Sequence, residues 1–210
     1  DELSVRNITN LSPVATTGTF TDYSANPVDS AFVIIAHKSL MNVALQYKTY
    51  RSSVAGGSRN VVLADISELY DQFAYGISQD PLSIRNFSNF MLMTYPSDPM
   101  HLFLMGKSVY ADYARAVFTA PNLVPTFGSP PCDNSLTAGL NGTQWEPAIP
   151  TGRIAARDSA QAQWYLNKVI SYESQLPEEW MKHVLHFGGG TTSVEQNQFE
   201  GYLQNYESII

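Results

Sequence analysis

The stretch Ala31-Phe-Val-Ile-Ile-Ala36 is the longest apolar run in the sequence. Its β-branched and aromatic residues do not alternate with polar ones, which is typical of a strand buried on both faces of a parallel sheet. The run is much shorter than the ~20 apolar residues that a helix needs to cross a bilayer. It therefore predicts a central strand, and no transmembrane segment is expected.

Strand-like and helix-like apolar segments alternate on the C-terminal side of this run. The predicted strands are 31–36, 61–64, 101–105, 153–155 and 183–187, and the predicted helices lie at 40–51, 66–73, from Asp80-Pro81 onward, 162–170 and 199–206. This βαβ rhythm favours a parallel sheet covered by helices. We therefore predict an α/β fold in which a parallel sheet of about four strands carries helices on both faces.

Composition narrows the class of protein. The chain has 210 residues, a formal net charge of −7, 44% hydrophobic and 15% charged residues, and a single cysteine, Cys132. This content argues against intrinsic disorder, and one cysteine excludes an internal disulfide framework. Binding to nucleic-acid phosphates depends on clustered Lys and Arg. The acidic balance therefore argues against a nucleic-acid partner.

The chain is expected to divide into two parts. Residues 1–28 are polar and rich in turn formers and predict an irregular N-terminal arm, whereas residues 29–210 carry the regular pattern. The long stretch 106–150, rich in Gly, Pro, Asn and Ser, is expected to be functional or to carry short elements. Because Asp1 is not a methionine and Ile210 ends the chain inside a predicted helix, we expect a piece of a longer protein.

Ligands of parallel sheets gather beyond the carboxyl ends of the strands. Those ends are His37-Lys38, Asp65, Gly106-Lys107 and Phe187-Gly188. Asp65 could hold a cation or cap the following helix, and the helix cap is the favoured interpretation. Arg153, inside a short predicted strand, favours a structural ion pair over a substrate contact.

Histidine and cysteine are the candidate catalytic residues. His183 and His186 are three apart, so on a strand they would lie on opposite faces and could not share a metal. His186 precedes Phe-Gly-Gly and resembles a catalytic histidine turn, although a packed or surface histidine is the favoured interpretation. Nothing near Cys132 in the sequence supplies the base that a thiol nucleophile needs.

A glycine run lies between the last predicted strand and the last helix. Thr192 and Glu195 fit a capping box after Gly188-Gly189-Gly190. A tight structural turn is favoured over an anion site, because the run matches neither a dinucleotide fingerprint nor a P-loop. A flavodoxin-like fold that holds an anion at Thr191-Thr192 is the weaker alternative.

Several segments, in order, resemble the gingipain family of cysteine peptidases, and most closely its sortase-like members tied to the type IX secretion system of Bacteroidetes. The similar segments are Ala31–Lys38 followed by Tyr50-Arg51, Val61–Asp65 followed by Tyr70-Asp-Gln-Phe-Ala-Tyr-Gly76, Pro81–Phe87, Leu102-Phe-Leu-Met-Gly106, Leu123-Val-Pro-Thr-Phe127, Pro150-Thr-Gly-Arg-Ile154, Asn167–Ile170 with Tyr172-Glu173, and Trp180 with Val184-Leu185. Two departures stand out. The family usually has Asp where Lys107 follows Gly106, and an acidic stretch is poorly matched by Cys132–Ser135 and Gly139–Gly142.

The resemblance implies a caspase-related fold in two subdomains, of which this chain covers the first. The catalytic histidine and cysteine are then expected beyond Ile210, so neither His186 nor Cys132 matches them. No cofactor is expected. Calcium is the one ion that the resemblance leaves open.

The implied function is that of a supporting subdomain in an exported cysteine endopeptidase, at the periplasm, outer membrane or cell surface of a Gram-negative bacterium. Its partners would be the remainder of the peptidase and a peptide or protein substrate. Peptide-bond hydrolysis or transpeptidation, including removal of C-terminal export signals, would be the reaction. A non-catalytic scaffold or binding module of the export machinery is the alternative.

Overall fold

A computed structural model describes residues 20–109, 122–128 and 130–209. Four strands, β1 (Phe32–Ala36), β2 (Val61–Asp65), β3 (His101–Met105) and β4 (Thr151–Ile154), form one sheet in these residues. Their order is β2-β1-β3-β4, and all three neighbouring pairs are parallel. The predicted α/β fold class is confirmed.

Five α-helices accompany the sheet in the described residues. They are α1 (Met41–Ser52), α2 (Ile66–Phe73), α3 (Leu82–Thr94), α4 (Ser159–Glu173) and α5 (Ser193–Glu207). The predicted helix that starts near Asp80-Pro81 begins at Leu82, with Pro81 as its N-cap residue. The predicted strand at 153–155 is β4, which begins two residues earlier.

The strand β1 divides the core into two layers, as its unbroken apolar sequence predicts. All five of its residues are buried. Val33 and Ile35 pack against α2 and α3, whereas Phe32 and Ile34 pack against α1 and α4. Since successive side chains of a strand point to opposite faces, a strand with helices on both sides must be apolar throughout.

The register aligns the strand ends. Phe32 lies beside Val61 and His101 at one end of the sheet, and Ala36 lies beside Asp65 and Met105 at the other. The residues that follow β1, β2 and β3 therefore leave the sheet at one carboxyl edge.

The predicted strand at His183–Phe187 is wrong. A 3₁₀ turn at Glu179–Lys182 is followed by backbone that pairs with no described strand. Leu185 and Phe187 are 77% and 87% exposed. Strand geometry is stabilised by hydrogen bonds to a neighbouring strand, and the apolar sequence alone cannot supply that neighbour.

The chain divides into two compact units, one ending at Ser174 and the other beginning at Gln175. The first contains the sheet with α1 to α4, and the second contains the 3₁₀ turn and α5. The predicted arm, 1–28, lies mostly outside the described residues, and its boundary stays a prediction. Among the residues that are described, no helix has both the length and the apolar character to cross a membrane.

Candidate functional site

The connections of the sheet create a switch point beside β1. The chain leaves β1 through α1 to β2 on one side, and after β2 it crosses to β3 on the other side. Loops at the carboxyl ends of two such strands diverge and leave a crevice between them. His37 follows β1 and Gly106 follows β3 at this point.

A polar pocket of about 290 Å³ opens at this edge, which we call the carboxyl-edge pocket. Its polar lining includes His37, Lys38, Ser67, Asp71, Gln79 and Asn122. These residues come from the end of β1, from α2, from the α2–α3 connection and from the segment after residue 121. The pocket therefore offers hydrogen-bond donors and acceptors, and it contains side chains of both charges, Lys38 and Asp71.

The imidazole of His37 is held in one orientation at the rim. Its Nδ1 lies 2.8 Å from the Ser39 hydroxyl oxygen and accepts the Ser39 backbone N–H at 3.2 Å. Burial lowers the pKa of His37, although the charge of Asp65 opposes this and Lys38 reinforces it. With Nδ1 accepting, the neutral ring carries its proton on Nε2.

Asp65 is confirmed as a helix cap. Its side chain accepts the Ser67 backbone N–H at 2.8 Å at the start of α2. An aspartate at this position satisfies an N–H group that has no partner within the helix. The carboxylate that sequence also allowed as a cation ligand is thus used by α2.

Arg153 forms the ion pair that its sequence position predicted. Its guanidinium binds both carboxylate oxygens of Asp133 at 2.8 Å. It also donates to the carbonyls of Gly106, Val124 and Pro125, at 2.7, 2.8 and 3.2 Å. One arginine on β4 therefore ties the end of β3 to two parts of the long stretch 106–150, which is a structural role.

The Asp133 carboxylate is adapted to this contact. Burial by itself would raise the pKa of Asp133, but the hydrogen bonds and charge of Arg153 outweigh it and hold the pKa below its ordinary value. A bidentate guanidinium–carboxylate pair is among the strongest charge-assisted contacts in proteins.

The backbone of Lys107 forms two hydrogen bonds just beyond the end of β3. Its N–H donates to the carbonyl of Ala156 at 2.8 Å, and its carbonyl accepts the Leu123 N–H at 2.8 Å. Gly106, just before it, has φ of +148°, and a Cβ there would lie 3.0 Å from side-chain atoms of Leu123 and Val124. A side chain at position 106 would therefore be strained, both by this backbone conformation and by the close approach of Leu123 and Val124.

The structure does not bring Cys132 to a histidine of the first unit. Cys132 is exposed and precedes a 3₁₀ turn at Asp133–Leu136. His37 lies at the carboxyl edge with its Nδ1 occupied by Ser39. His101 lies at the amino end of β3, against the Phe32 ring. Among the described residues of this unit, no hydrogen bond joins the thiol to an imidazole.

In the second unit, His183 ends the 3₁₀ turn and His186 follows in unpaired backbone. The expected placement of the two rings on opposite faces of a strand therefore fails, because no strand forms there.

The capping box at Thr192 and Glu195 is present. The Glu195 carboxylate accepts the backbone N–H groups of Thr191 and Thr192 at 2.9 and 3.2 Å, and the Thr191 hydroxyl at 2.8 Å. The Thr191 hydroxyl bond, followed by these backbone bonds, lowers the pKa of Glu195. The chain's own carboxylate thus occupies the groups that an external anion would use, which favours the structural turn over the anion site.

Sequence reasoning missed most of the carboxyl-edge pocket. Ser67, Asp71 and Gln79 lie beyond the strand ends that drew attention, and Asn122 lies in the long stretch 106–150. Gln79 has φ of +63°, a conformation that few non-glycine residues adopt. No sequence signal predicts that backbone, because the strain is set by the surrounding contacts.

The part of the chain that the structure describes contains no cluster of metal-ligating side chains. No three His, Cys, Asp or Glu side chains converge there in a way that could hold an ion. The possible calcium ion stays a prediction from the resemblance.

Comparison with known proteins gives a family and a fold. The family model of peptidase family C25 matches residues 25–209. The crystal structure of dimeric latent PorU from Porphyromonas gingivalis is similar with a TM-score of 0.54 and 18% sequence identity, over 70% of this chain and 16% of that chain. A comparison with curated proteins gave no match.

At this identity, the likeness to PorU concerns the fold, and the chain spans 16% of the PorU chain. The family model, in contrast, covers nearly the whole chain and agrees with the resemblance of its motifs to the gingipains. This chain therefore belongs to peptidase family C25, a family of cysteine peptidases.

Proposed function

We propose that this chain is a supporting, non-catalytic part of an exported cysteine endopeptidase. The match to family C25 over residues 25–209 is the observation that carries the peptidase assignment. The placement of Cys132, exposed and without an imidazole partner among the described residues of its unit, supports the absence of a catalytic pair here.

The reaction of the whole protein would be acyl transfer. A cysteine thiolate attacks a peptide carbonyl, a histidine transfers the proton to the leaving amine, and backbone N–H groups stabilise the oxyanion. Water or a second amine then takes the acyl group from the thiol, which gives hydrolysis or transpeptidation. In this proposal both catalytic side chains come from outside residues 1–210.

The sheet would contribute rigidity to that enzyme. Arg153 fixes the segments at the carboxyl edge, where the polar pocket opens. Catalytic and substrate-binding loops need a packed scaffold that holds them in position. The peptide or protein substrate would therefore be bound beside a preformed wall.

The specific reaction that we propose is the removal of C-terminal signals during type IX secretion. The motifs shared with the sortase-like gingipain relatives support it, as does the similarity of the fold to PorU. Localisation at the periplasm, outer membrane or cell surface of a Gram-negative bacterium follows from the same proposal.

Purified residues 1–210 provide the first test. We expect no hydrolysis of a peptide mixture above the buffer rate, and labelling of the exposed Cys132 thiol by fluorescent iodoacetamide at the rate of an ordinary thiol. Turnover that Cys132→Ala abolishes, and that the neighbouring control Ser135→Ala retains, would refute the supporting role.

The whole protein provides the second test. Its peptide hydrolysis should be inhibited by a thiol-directed probe that labels a cysteine outside residues 1–210, and Cys132→Ala should leave the activity unchanged. Thiol-insensitive or absent hydrolysis would instead favour the alternative, a scaffold of the export machinery.

A further inference from the structure

The turn that follows β1 is held by the side chain of His37, and we call it the β1–α1 turn (Lys38–Leu40). It is one turn of 3₁₀ helix, and His37 is its N-cap residue. The imidazole Nδ1 accepts the Ser39 backbone N–H at 3.2 Å and lies 2.8 Å from the Ser39 hydroxyl oxygen. The usual N-cap side chains, Ser, Thr, Asp and Asn, offer oxygens that stay acceptors between about pH 5 and 8. This turn depends instead on an acceptor that titrates in that range.

Protonation of the His37 ring removes the acceptor on which this cap depends. A protonated Nδ1 is a donor. The Ser39 hydroxyl can reverse its role, since a hydroxyl both donates and accepts. The Ser39 backbone N–H cannot, so two N–H groups would face each other across 3.2 Å. The charged ring and the present geometry of the β1–α1 turn are therefore incompatible.

The surroundings of the ring favour its neutral form. Burial has the largest effect and lowers the pKa of His37 below its ordinary value of 6.5, while the charge of Asp65 at the end of β2 opposes this and that of Lys38 adds to it. The other titratable side chains in the lining of the carboxyl-edge pocket are Asp71 and Tyr70 of α2. The stability that the neutral ring contributes is therefore complete above pH 6.5 and is lost as the pH falls through the lower, folded pKa.

The contacts of the turn decide which part of it can respond. Leu40 is fully buried and its N–H donates to the His37 carbonyl at 2.8 Å, so the end of the turn is anchored. Lys38 and Ser39 are exposed. Lys38 lines the carboxyl-edge pocket, and the Ser39 carbonyl accepts the hydroxyl of Ser159, the first residue of α4, at 2.8 Å. Release of the turn therefore acts on the wall of the pocket and on the start of α4.

We propose that His37 is a pH-sensitive latch on the carboxyl-edge pocket. With a neutral ring, Nδ1 holds the Ser39 N–H and the pocket keeps the lining described above. With a charged ring, the Ser39 N–H is released, Lys38 and Ser39 move, and the pocket wall that His37 and Lys38 form changes. The latch is local, because β1 before it and Leu40 after it are packed in the core. The proposal stands independently of the peptidase function, since every contact involved lies within the first unit.

An NMR titration of the isotope-labelled full chain tests the latch. In the neutral ring of His37, the nitrogen shifts should show Nδ1 without a proton and Nε2 with one. As the pH falls from about 8 to about 4.5, the Ser39 amide signal should shift with the same midpoint as the ring, and so should the Ser67 and Gln79 amides across the pocket. A proton on Nδ1 of the neutral ring, or a Ser39 amide that does not follow the ring, would overturn the proposal. Pocket amides that do not follow the ring would refute its control of the pocket.

Two variants separate the cap from its titration. His37→Asn keeps a side-chain acceptor at the N-cap, and this acceptor does not titrate, whereas His37→Ala removes the acceptor. The pH-dependent shifts of the Ser39, Ser67 and Gln79 amides should disappear in His37→Asn. They should persist in His183→Asn, which replaces an exposed histidine of the second unit. In His37→Ala at about pH 8, the Ser39 amide should already have the position that it reaches in acidified wild type.

Urea unfolding provides a second readout of the same latch. The unfolding constant of wild type divided by that of His37→Asn should be independent of pH above about pH 7 and should rise as the pH falls, because only wild type loses its cap. We expect a rise of about fivefold by about pH 5, the factor that corresponds to a cap of ~1 kcal/mol. The same ratio for His183→Asn should stay constant. A constant ratio for His37→Asn would show that protonation of His37 releases nothing, and the proposal would be wrong.

Discussion

At the scale of single residues, Arg153 is a largely buried side chain that holds several separate segments together. Its side chain is 11% exposed and has two anionic and three carbonyl acceptors, which a lysine could not reach together. Arg153→Met leaves the Asp133 carboxylate and these carbonyls without their donor. We expect the free energy of unfolding, measured with urea, to fall by about 3 kcal/mol. This is the low end of the range for breaking a buried ion pair, because Asp133 is partly exposed.

The control for this variant is Arg157→Met, which removes an exposed arginine three residues after β4. It should change the stability by no more than about 0.5 kcal/mol. Equal losses in the two variants would show that the Arg153 network contributes no more than a surface charge.

Asp133 gives this network a defined dependence on pH. Its pKa in the folded chain lies below the ordinary value of 3.8, so the folded state favours the charged carboxylate. The stabilisation that the charged Asp133 contributes is therefore complete above pH 3.8. It is lost as the pH falls through the lower pKa that Asp133 has in the folded state. Wild type should therefore lose stability more steeply than Asp133→Asn below about pH 4, by at most ~1.4 kcal/mol per pH unit. Parallel stability curves for the two proteins would contradict this account.

At the scale of secondary structure elements, the caps can be tested with a matched pair. Asp65 caps α2 through one carboxylate oxygen. Asp65→Ala removes that acceptor and should destabilise the chain by ~1 kcal/mol, whereas Asp65→Asn keeps an acceptor and should lose only a few tenths. Urea unfolding monitored by circular dichroism measures both. A loss of similar size in the two variants would mean that the charge, not the cap, matters.

The elements also show where sequence patterns are sufficient. The run 31–36 predicted β1 correctly, because its apolar side chains could be buried on both faces by helices that the same sequence encodes. The run His183–Phe187 has a similar pattern and forms no strand, because no described strand lies beside it. Apolar character indicates what a segment can bury, and pairing depends on a neighbour that the local sequence does not contain.

In the candidate site, too, features set by neighbouring residues were predictable and features set by the tertiary fold were not. Asp65 and the Thr192–Glu195 box were predictable, since caps depend on residues a few positions apart. The ion-pair role of Arg153 was predictable from its type, but Asp133 as its partner was not, because the two meet only through the tertiary fold. The carboxyl-edge pocket depends on loops with positive φ at residues such as Gln79, which no short motif specifies.

At the scale of the whole molecule, the two units differ in how much they bury. The first unit surrounds a sheet with two apolar layers. In the second, α5 buries none of its described side chains, and Phe199 and Tyr202 are 43% and 49% exposed. Isolated helices of about 15 residues are marginally stable in water, since most helical stability in proteins comes from packing. The second unit therefore has less to stabilise it than the first.

Hydrogen exchange on residues 1–210 measures this difference, with α4 as the internal control. Both α4 and α5 have 15 residues and an N-cap side chain, but α4 buries Ala162 and Leu166 against the sheet. We expect the amides of α5 to exchange at least roughly tenfold faster than those of α4, because no side chain of α5 is fully buried and its local opening exposes less apolar surface. Equal protection in the two helices would mean that α5 is stabilised by packing, and the contrast between the units would then be wrong.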